Sequence, residues 1–462
     1  MSIRSVLVAA ALLAAATPGL AQEKLSHGRF KDVSIYRPPG EVKQFVLFLS
    51  GDTGWTSEVS GIATKLVERG AMVVGISTPQ FYAALEADGA TCVYADGDLE
   101  NLSHYLQGYA RLPTYHSPIL VGYSSGASMA YAMLAQAPSG TFAGALSLGF
   151  CADLDLDKPL CKGDGVQFVH HEKTKGVDLL PAKDLGADWV MFHGSRDKAC
   201  PTAAARNFAA QMPRARFIEL PKLAHAFPVP GNWLPQFLGA YDQLAIKATA
   251  ALPPPPANLP DLPLVEVRAQ QPGSTFAVLL SGDGGWAGLD KNVAAALAKK
   301  GVDVVGVDSL RYFWSARTPQ GLADDIDRIV RYYAGQWRKS GAVLVGYSQG
   351  ADVLPFALNR LPSGSRRLVT HAVLMGLGEK ASFIFHVTNW IGADDEGLPI
   401  RPEAEKLQPG MTLCLYGATE KNSLCPQLGS AGSVEARQLP GGHHFDGAYD
   451  ELASIILEHL AH

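Results

Sequence analysis

The chain has 462 residues, of which 47% are hydrophobic and 18% charged, with a formal net charge of −5. This supplies a sizeable core and length for two or three domains. Without a basic field to gather polyanions, nucleic acid is excluded as an expected partner, while a cationic substrate is compatible with the balance.

At the N-terminus, Arg4 precedes an apolar run from Val6 to Ala16, followed by Pro18, Gly19, Leu20 and Ala21. This order matches the charged, apolar and small-residue parts of a secretory signal. Residues 1–21 are read as that signal, cleaved after Ala21, with an uncleaved anchor as the other reading. The mature chain is therefore expected in the periplasm. All six cysteines, Cys92, Cys151, Cys161, Cys200, Cys414 and Cys425, lie beyond the signal, and in that compartment disulfides persist. Cys414 and Cys425 are expected to bridge. The first four allow three pairings that the sequence does not separate, and free buried thiols are the other reading.

The first long apolar strand pattern is Phe45 to Trp55, FVLFLSGDTGW, followed by Ala71 to Ser77, AMVVGIS. Next come Ile119 to Gly126, ILVGYSSG, then Trp189 to Gly194, WVMFHG, and Leu220-Pro221 shortly before His225. A proline-rich stretch, Pro253 to Pro256 with Pro260 and Pro263, favours extended backbone and reads as a semi-rigid linker. Beyond it the landmarks recur in the same order: Phe276 to Trp286, FAVLLSGDGGW; Val302 to Ser309, VDVVGVDS; Val343 to Gly350, VLVGYSQG; Thr412 to Gly417, TLCLYG; and Leu439-Pro440 before His443. Short buried strands alternating with helical patterns indicate parallel sheets covered on both faces. The expected organisation is α/β, with a first domain at 22–250, a linker at 251–263 and a second domain at 264–462, each a mostly parallel, doubly wound sheet.

Gly122-Tyr123-Ser124-Ser125-Gly126 and Gly346-Tyr347-Ser348-Gln349-Gly350 both have the G-x-S-x-G form between an apolar strand and a helix start. That is the context of a nucleophile elbow in α/β-hydrolases, where the glycines leave room for a sharp turn. A serine hydroxyl is a weak nucleophile, so a histidine base and an orienting acid are expected after it in the order Ser, acid, His. The first half offers Ser124, Asp197 and His225, and the second offers Ser348, Glu420 and His443; the serine-to-acid spacings agree to within one residue. His444 competes with His443 for the base. Matching His225-Ala226-Phe227 to His443-His444-Phe445 selects His443. An orienter in the cluster Asp394, Asp395 and Glu396 is the alternative to Glu420.

An oxyanion needs two backbone N–H donors. Gln349 is expected to supply one, and Asp283 or Gly284 in the turn Ser281 to Trp286 the other; Ser125 and the turn Ser50 to Trp55 correspond in the first half. Trp55 and Trp286 read as packing residues ahead of substrate contacts. Asp283 and Asp352 are read in two ways, as contacts for a substrate's ammonium groups or as local caps. The relay calls for no metal and no organic cofactor. The run Phe383 to Ile391 reads as a core strand or a pocket wall, with His386 a core histidine.

Tyr312 to Pro319, YFWSARTP, together with Val345 to Asp352, Gly376-Leu377-Gly378 running into Phe383 to Trp390, and Gly441 to Phe445, resembles the AcvB/VirJ family of bacterial virulence proteins. The resemblance covers the whole chain in architecture, with its specific motifs between Ser281 and Phe445. It implies tandem α/β-hydrolase domains and hydrolysis of the aminoacyl ester of lysyl-phosphatidylglycerol, an aminoacylated phospholipid met at the membrane surface, through an acyl-enzyme. A link with type IV secretion or virulence proteins, implied by the same family, supplies the non-enzymatic alternative. A serine esterase acting on another carboxylic ester is the third reading.

Overall fold

Phe45 to Leu49 is apolar at every position, so a strand built from it has two faces to bury and needs helices on both sides of its sheet. The computed structural model, which describes residues 22–87, 92–163, 165–171, 175–228, 230–250, 259–385 and 397–460, provides that cover in each half. The first half contains β1 (Gln22–His27), β2 (Phe30–Tyr36), β3 (Gln44–Leu49), β4 (Ala71–Ile76), β5 (Ile119–Tyr123), β6 (Gly144–Leu148), β7 (Asp153–Leu154), β8 (Gln167–His170), β9 (Val177–Leu180), β10 (Trp189–Gly194) and β11 (Ala215–Leu220). Eight of them form one sheet in the order β1-β2-β4-β3-β5-β6-β10-β11, and β7, β9 and β8 form a small separate one. The pairs from β4 to β11 are parallel, whereas β2 runs antiparallel to both β1 and β4.

The second half contains β12 (Leu264–Val267), β13 (Thr275–Leu280), β14 (Asp303–Val307), β15 (Gly341–Tyr347), β16 (Val369–Met375), β17 (Lys380–Ala381), β18 (Leu398–Pro399), β19 (Thr412–Gly417) and β20 (Glu435–Leu439). Its main sheet runs β12-β14-β13-β15-β16-β19-β20, and β17 pairs with β18 apart from it. Only β12 in that main sheet is antiparallel to its neighbour. The order β4-β3-β5-β6-β10-β11 is thus repeated strand for strand by β14-β13-β15-β16-β19-β20. Both are α/β-hydrolase sheets.

In the first half, helices Ser57–Val67 and Leu234–Ala250 cover one face, while Ala95–Tyr109, Ser125–Gln136 and Thr202–Ala209 cover the other. In the second, Gly288–Lys299 and Tyr449–Leu460 lie opposite Pro319–Gln336 and Gln349–Leu358. Both tryptophans of the repeated turn are packing residues. A β-carbon on Gly75 of β4 would overlap the Trp55 ring, and one on Gly306 of β14 would overlap the Trp286 ring. The glycine in each second strand is therefore the socket for the aromatic side chain of the first turn.

All six cysteines are paired, as Cys92–Cys161, Cys151–Cys200 and Cys414–Cys425. No helix among the described residues is long and apolar enough to cross a membrane. The signal at 1–21, linker residues 251–258, His386, Trp390 and the cluster Asp394, Asp395 and Glu396 lie outside the described residues. Gly306→Ala, by forcing the Trp286 ring out of its socket, is expected to lower unfolding stability by about 1–3 kcal/mol, the usual cost of overpacking. A urea melt of the variant beside the parent measures it.

Candidate active site

Each elbow serine sits in a backbone conformation that L-residues rarely adopt, with φ +54° at Ser124 and +51° at Ser348. Holding such a residue costs about 1–3 kcal/mol, so the surroundings must over-determine it. They do so from both sides. A β-carbon on Gly346 would strike the Gly350 backbone, and one on Gly350 would strike the Leu280 carbonyl; Gly122 and Gly126 are confined in the same way by Gly126 and Leu49. Each serine N–H is also tied to the neighbouring strand, Ser124 to the Leu148 carbonyl and Ser348 to the Met375 carbonyl, both at 2.9 Å. Helices Ser125–Gln136 and Gln349–Leu358 start directly after the serines. The first N–H of a helix has no partner within it, so Ser125 and Gln349 carry donors free to face an oxyanion.

In the first domain the relay is closed. Ser124 Oγ lies 3.1 Å from His225 Nε2, and His225 Nδ1 lies 2.8 Å from Asp197 Oδ2. Asp197 is buried, and its other oxygen accepts the N–H groups of Ala199 and Cys200 at 3.0 and 2.9 Å. The Asp197, Cys200 and His225 ligand atoms are close enough together to suggest a metal group. However, Cys200 Sγ is committed to Cys151 and the other two residues to each other.

In the second domain the base and acid are joined, with His443 Nδ1 at 2.6 Å from Glu420 Oε1. Glu420 Oε2 accepts the Gly417 N–H at 3.1 Å. Among the described residues no hydrogen bond joins Ser348 Oγ to His443 in this conformation, so the nucleophile half of the relay is open. Catalytic hydrogen bonds often tighten only when substrate binds, and the imidazole has the station needed. Gly376, at φ +66°, follows directly on β16, and a β-carbon there would lie 2.6 Å from His443 Cε1; Gly149, at φ +68°, holds the same place after β6, 3.2 Å from His225 Cε1. His444 is engaged elsewhere, its Nδ1 lying 2.8 Å from the Tyr347 hydroxyl. Sequence patterns give no signal for Tyr347 as that partner, nor for Gly376 as the slot under the base.

The electrostatics of the second site follow from these contacts. The Glu420 hydrogen bond raises the pKa of His443 above the ordinary histidine value, against the opposing effect of burial, and the charges of Asp283 and Asp352 raise it further. Burial opposes ionisation of Glu420, yet His443 and the Gly417 N–H together hold its pKa below the usual carboxylate value. Burial pushes Asp352 up to about 8, although Oδ1 accepts the Gly378 N–H at 2.7 Å. Asp283 is likewise raised by burial, partly offset by the N–H groups of Asp283 and Gly284, which face its carboxyl. Asp283 and Gly284, the candidates for the second oxyanion donor, thus have the Asp283 carboxyl as a competing acceptor. Of the two readings of Asp283 and Asp352, the structure shows the local backbone contacts and also brings both carboxyls near His443.

The first site differs. Ser124 Oγ is 3.4 Å from Asp52, the counterpart of Asp283, but Asp352 is replaced by Ser128, whose hydroxyl donates to the Cys151 carbonyl at 2.6 Å. Turnover that depends on neutral His443 rises with pH, because the proton must leave the imidazole before it can act as base. With Ser124→Ala removing the first site, the acid limb of kcat/KM on an activated ester is expected above the ordinary histidine value of ~6.5. Glu420→Gln should move that limb to lower pH while lowering kcat by about 10²–10⁴-fold. An unmoved limb in a pH–rate profile would take Glu420 out of the relay.

Comparison with solved structures finds hydrolases of low identity, each matched by about half of the chain or less. A lidless α/β serine hydrolase from Xanthomonas campestris shares 14% identity, covering 43% of this chain and 88% of its own, with a TM-score of 0.30. A thermophilic esterase from the Planctomycetes species Thermogutta terrifontis, with propionate bound, shares 15%, covering 50% and 94%, at 0.35. An α/β serine hydrolase homologue from Coxiella burnetii shares 14%, covering 50% and 99%, at 0.31. Comparison with curated protein sequences finds no match. The sequence profile of the bacterial virulence protein VirJ matches residues 43–149 and 274–462, parts of both repeats and more than half of the chain. The chain belongs to the VirJ family of bacterial virulence proteins.

Proposed function

We propose that this protein is an exported serine hydrolase that cleaves the aminoacyl ester of lysyl-phosphatidylglycerol, with Ser348 as nucleophile. The observation that carries the reading is a His443–Glu420 pair at 2.6 Å beside an elbow serine, in a site whose nearby carboxyls include Asp283 and Asp352. A relay of that kind suits a carboxylic ester, and its acidic surroundings suit an acyl group carrying ammonium charges.

The chemistry follows from the groups present. Ser348 Oγ attacks the lysyl carbonyl carbon while His443 Nε2 takes the hydroxyl proton. Gln349 N–H faces the oxyanion, and a single such donor is worth about 3 kcal/mol in the transition state. As the tetrahedral adduct collapses, the bond to the glycerol oxygen breaks and His443 returns the proton to that oxygen, freeing phosphatidylglycerol. Water then attacks the lysyl-enzyme ester with His443 again taking a proton, and lysine leaves as Ser348 is restored. Export to the periplasm is part of the proposal, supported by the segment from Arg4 to Ala21 and by the pairing of all six cysteines. In that setting the substrate is met at a membrane surface.

A second reading attaches to the first domain, whose closed Ser124–His225–Asp197 relay favours an esterase acting on a less cationic acyl group. Purified variants assayed on lysyl-phosphatidylglycerol vesicles separate the two sites. Ser348→Ala is expected to lower turnover by at least about a thousandfold, while Ser124→Ala retains most of it. The reverse pattern would move the activity to the first domain, and turnover undiminished in the double variant would reject both serines.

A further inference from the structure

The first domain reaches into the second domain's site. Trp314, in the Tyr312 to Pro319 segment, donates its indole N–H to the Leu112 carbonyl at 2.6 Å and packs on Tyr115 at a ring distance of 5.5 Å. Phe385 stacks on Trp314 at 5.1 Å and meets His104 edge-on at 5.4 Å. These contacts fix helix Ala95–Tyr109 of the first domain against the second. One turn before His104 on that helix is Glu100, whose Oε1 lies 3.5 Å from where a β-carbon on Gly284 would stand. Gly284 belongs to the same turn as Gly282, where a β-carbon would lie 3.5 Å from Ser348 Cβ, so a carboxyl from one domain lies against the turn that borders the nucleophile of the other.

The geometry points to Glu100 as a specificity-determining residue of the Ser348 site, receiving an ammonium group of a cationic acyl substrate across the domain boundary. Among the described residues nothing donates a hydrogen bond or an ion pair to the Glu100 carboxyl, so a cation from outside has an unclaimed acceptor. An independent feature points to the same kind of ligand. Gln349, next to the nucleophile and only 9% exposed, uses its Nε2 on the Ser382 carbonyl but leaves Oε1 without a donor. Each acceptor suits a ligand bearing N–H groups. Burial first, and then the charges of Asp96 and Asp283, hold the pKa of Glu100 up at about 8. An arriving ammonium group would relieve that opposition to ionisation. The arrangement also gives the tandem architecture a purpose, since the second domain's site takes part of its recognition surface from the first.

This inference rests on the reading of Ser348 as the ester nucleophile, and the test separates the two. In a Ser124→Ala background, kcat/KM is measured for lysine methyl ester and for norleucine methyl ester, which differ mainly in the side-chain ammonium. Glu100→Gln is expected to lower the lysine-to-norleucine ratio about tenfold, the effect of about 1.4 kcal/mol from one partly desolvated charge pair. Glu100→Lys should lower it further. Because the ratio is taken within one enzyme, loss of folded protein cancels from it, and an unchanged ratio overturns the inference. If neither ester is turned over, the Ser348 reading fails on its own. Glu100 is then read by calorimetry with lysinamide, where weaker binding to Glu100→Gln supports the role and equal binding overturns it.

Discussion

The constraint on which everything else depends is the lack of room for a β-carbon on either side of each elbow serine. Gly346 and Gly350 let β15 and helix Gln349–Leu358 close to contact, and that closure holds Ser348 at φ +51°. The rest follows from the corner: the serine projects from the end of the sheet, the free N–H of Gln349 lies next to it, and the neighbouring strand runs straight into Gly376, whose missing side chain makes the slot for His443. The same three consequences attend Ser124, through Gly122, Gly126 and Gly149. A scaffold that repeats these steric exclusions twice repeats an active-site corner twice.

On that shared corner the two halves carry different charge. The acid loops are braced alike, since Cys200 both donates its N–H to Asp197 and bridges to Cys151, while Cys425, shortly after Glu420, bridges to Cys414 in β19. The pockets are not alike. Ser128 stands where Asp352 does in the second domain. Burial opposes ionisation of a carboxyl, as at Asp352, and an arriving cation would offset that opposition. This difference in charge is what the proposed preference of the second site for a cationic acyl group rests on.

Much of this was legible in the sequence because it is local or repeated. FVLFLSGDTGW and FAVLLSGDGGW show the shared strand and turn, the pentapeptides around Ser124 and Ser348 show the elbows, and the order of landmarks anticipates the matching sheet order. The Cys414–Cys425 pairing was legible because these are the two cysteines of the second half, whereas Cys92–Cys161 and Cys151–Cys200 depend on how distant segments meet. Contacts that depend on folding left no pattern. Tyr347 occupies the variable position of its motif yet pairs with His444. Glu100 sits in the acidic start of a helix, where acids normally complement the helix dipole. Nothing along the chain marks it as the residue that crosses to the other domain.

The central claim is that Ser348 becomes a nucleophile through His443. Its most direct test is active-site phosphonylation of the folded protein at pH 8, with the modified serine identified by peptide mass spectrometry. The account predicts a stoichiometric adduct on Ser348 that disappears in His443→Ala while the protein keeps its melting temperature. An unmodified Ser348 in protein whose Ser124 reacts fully would contradict it.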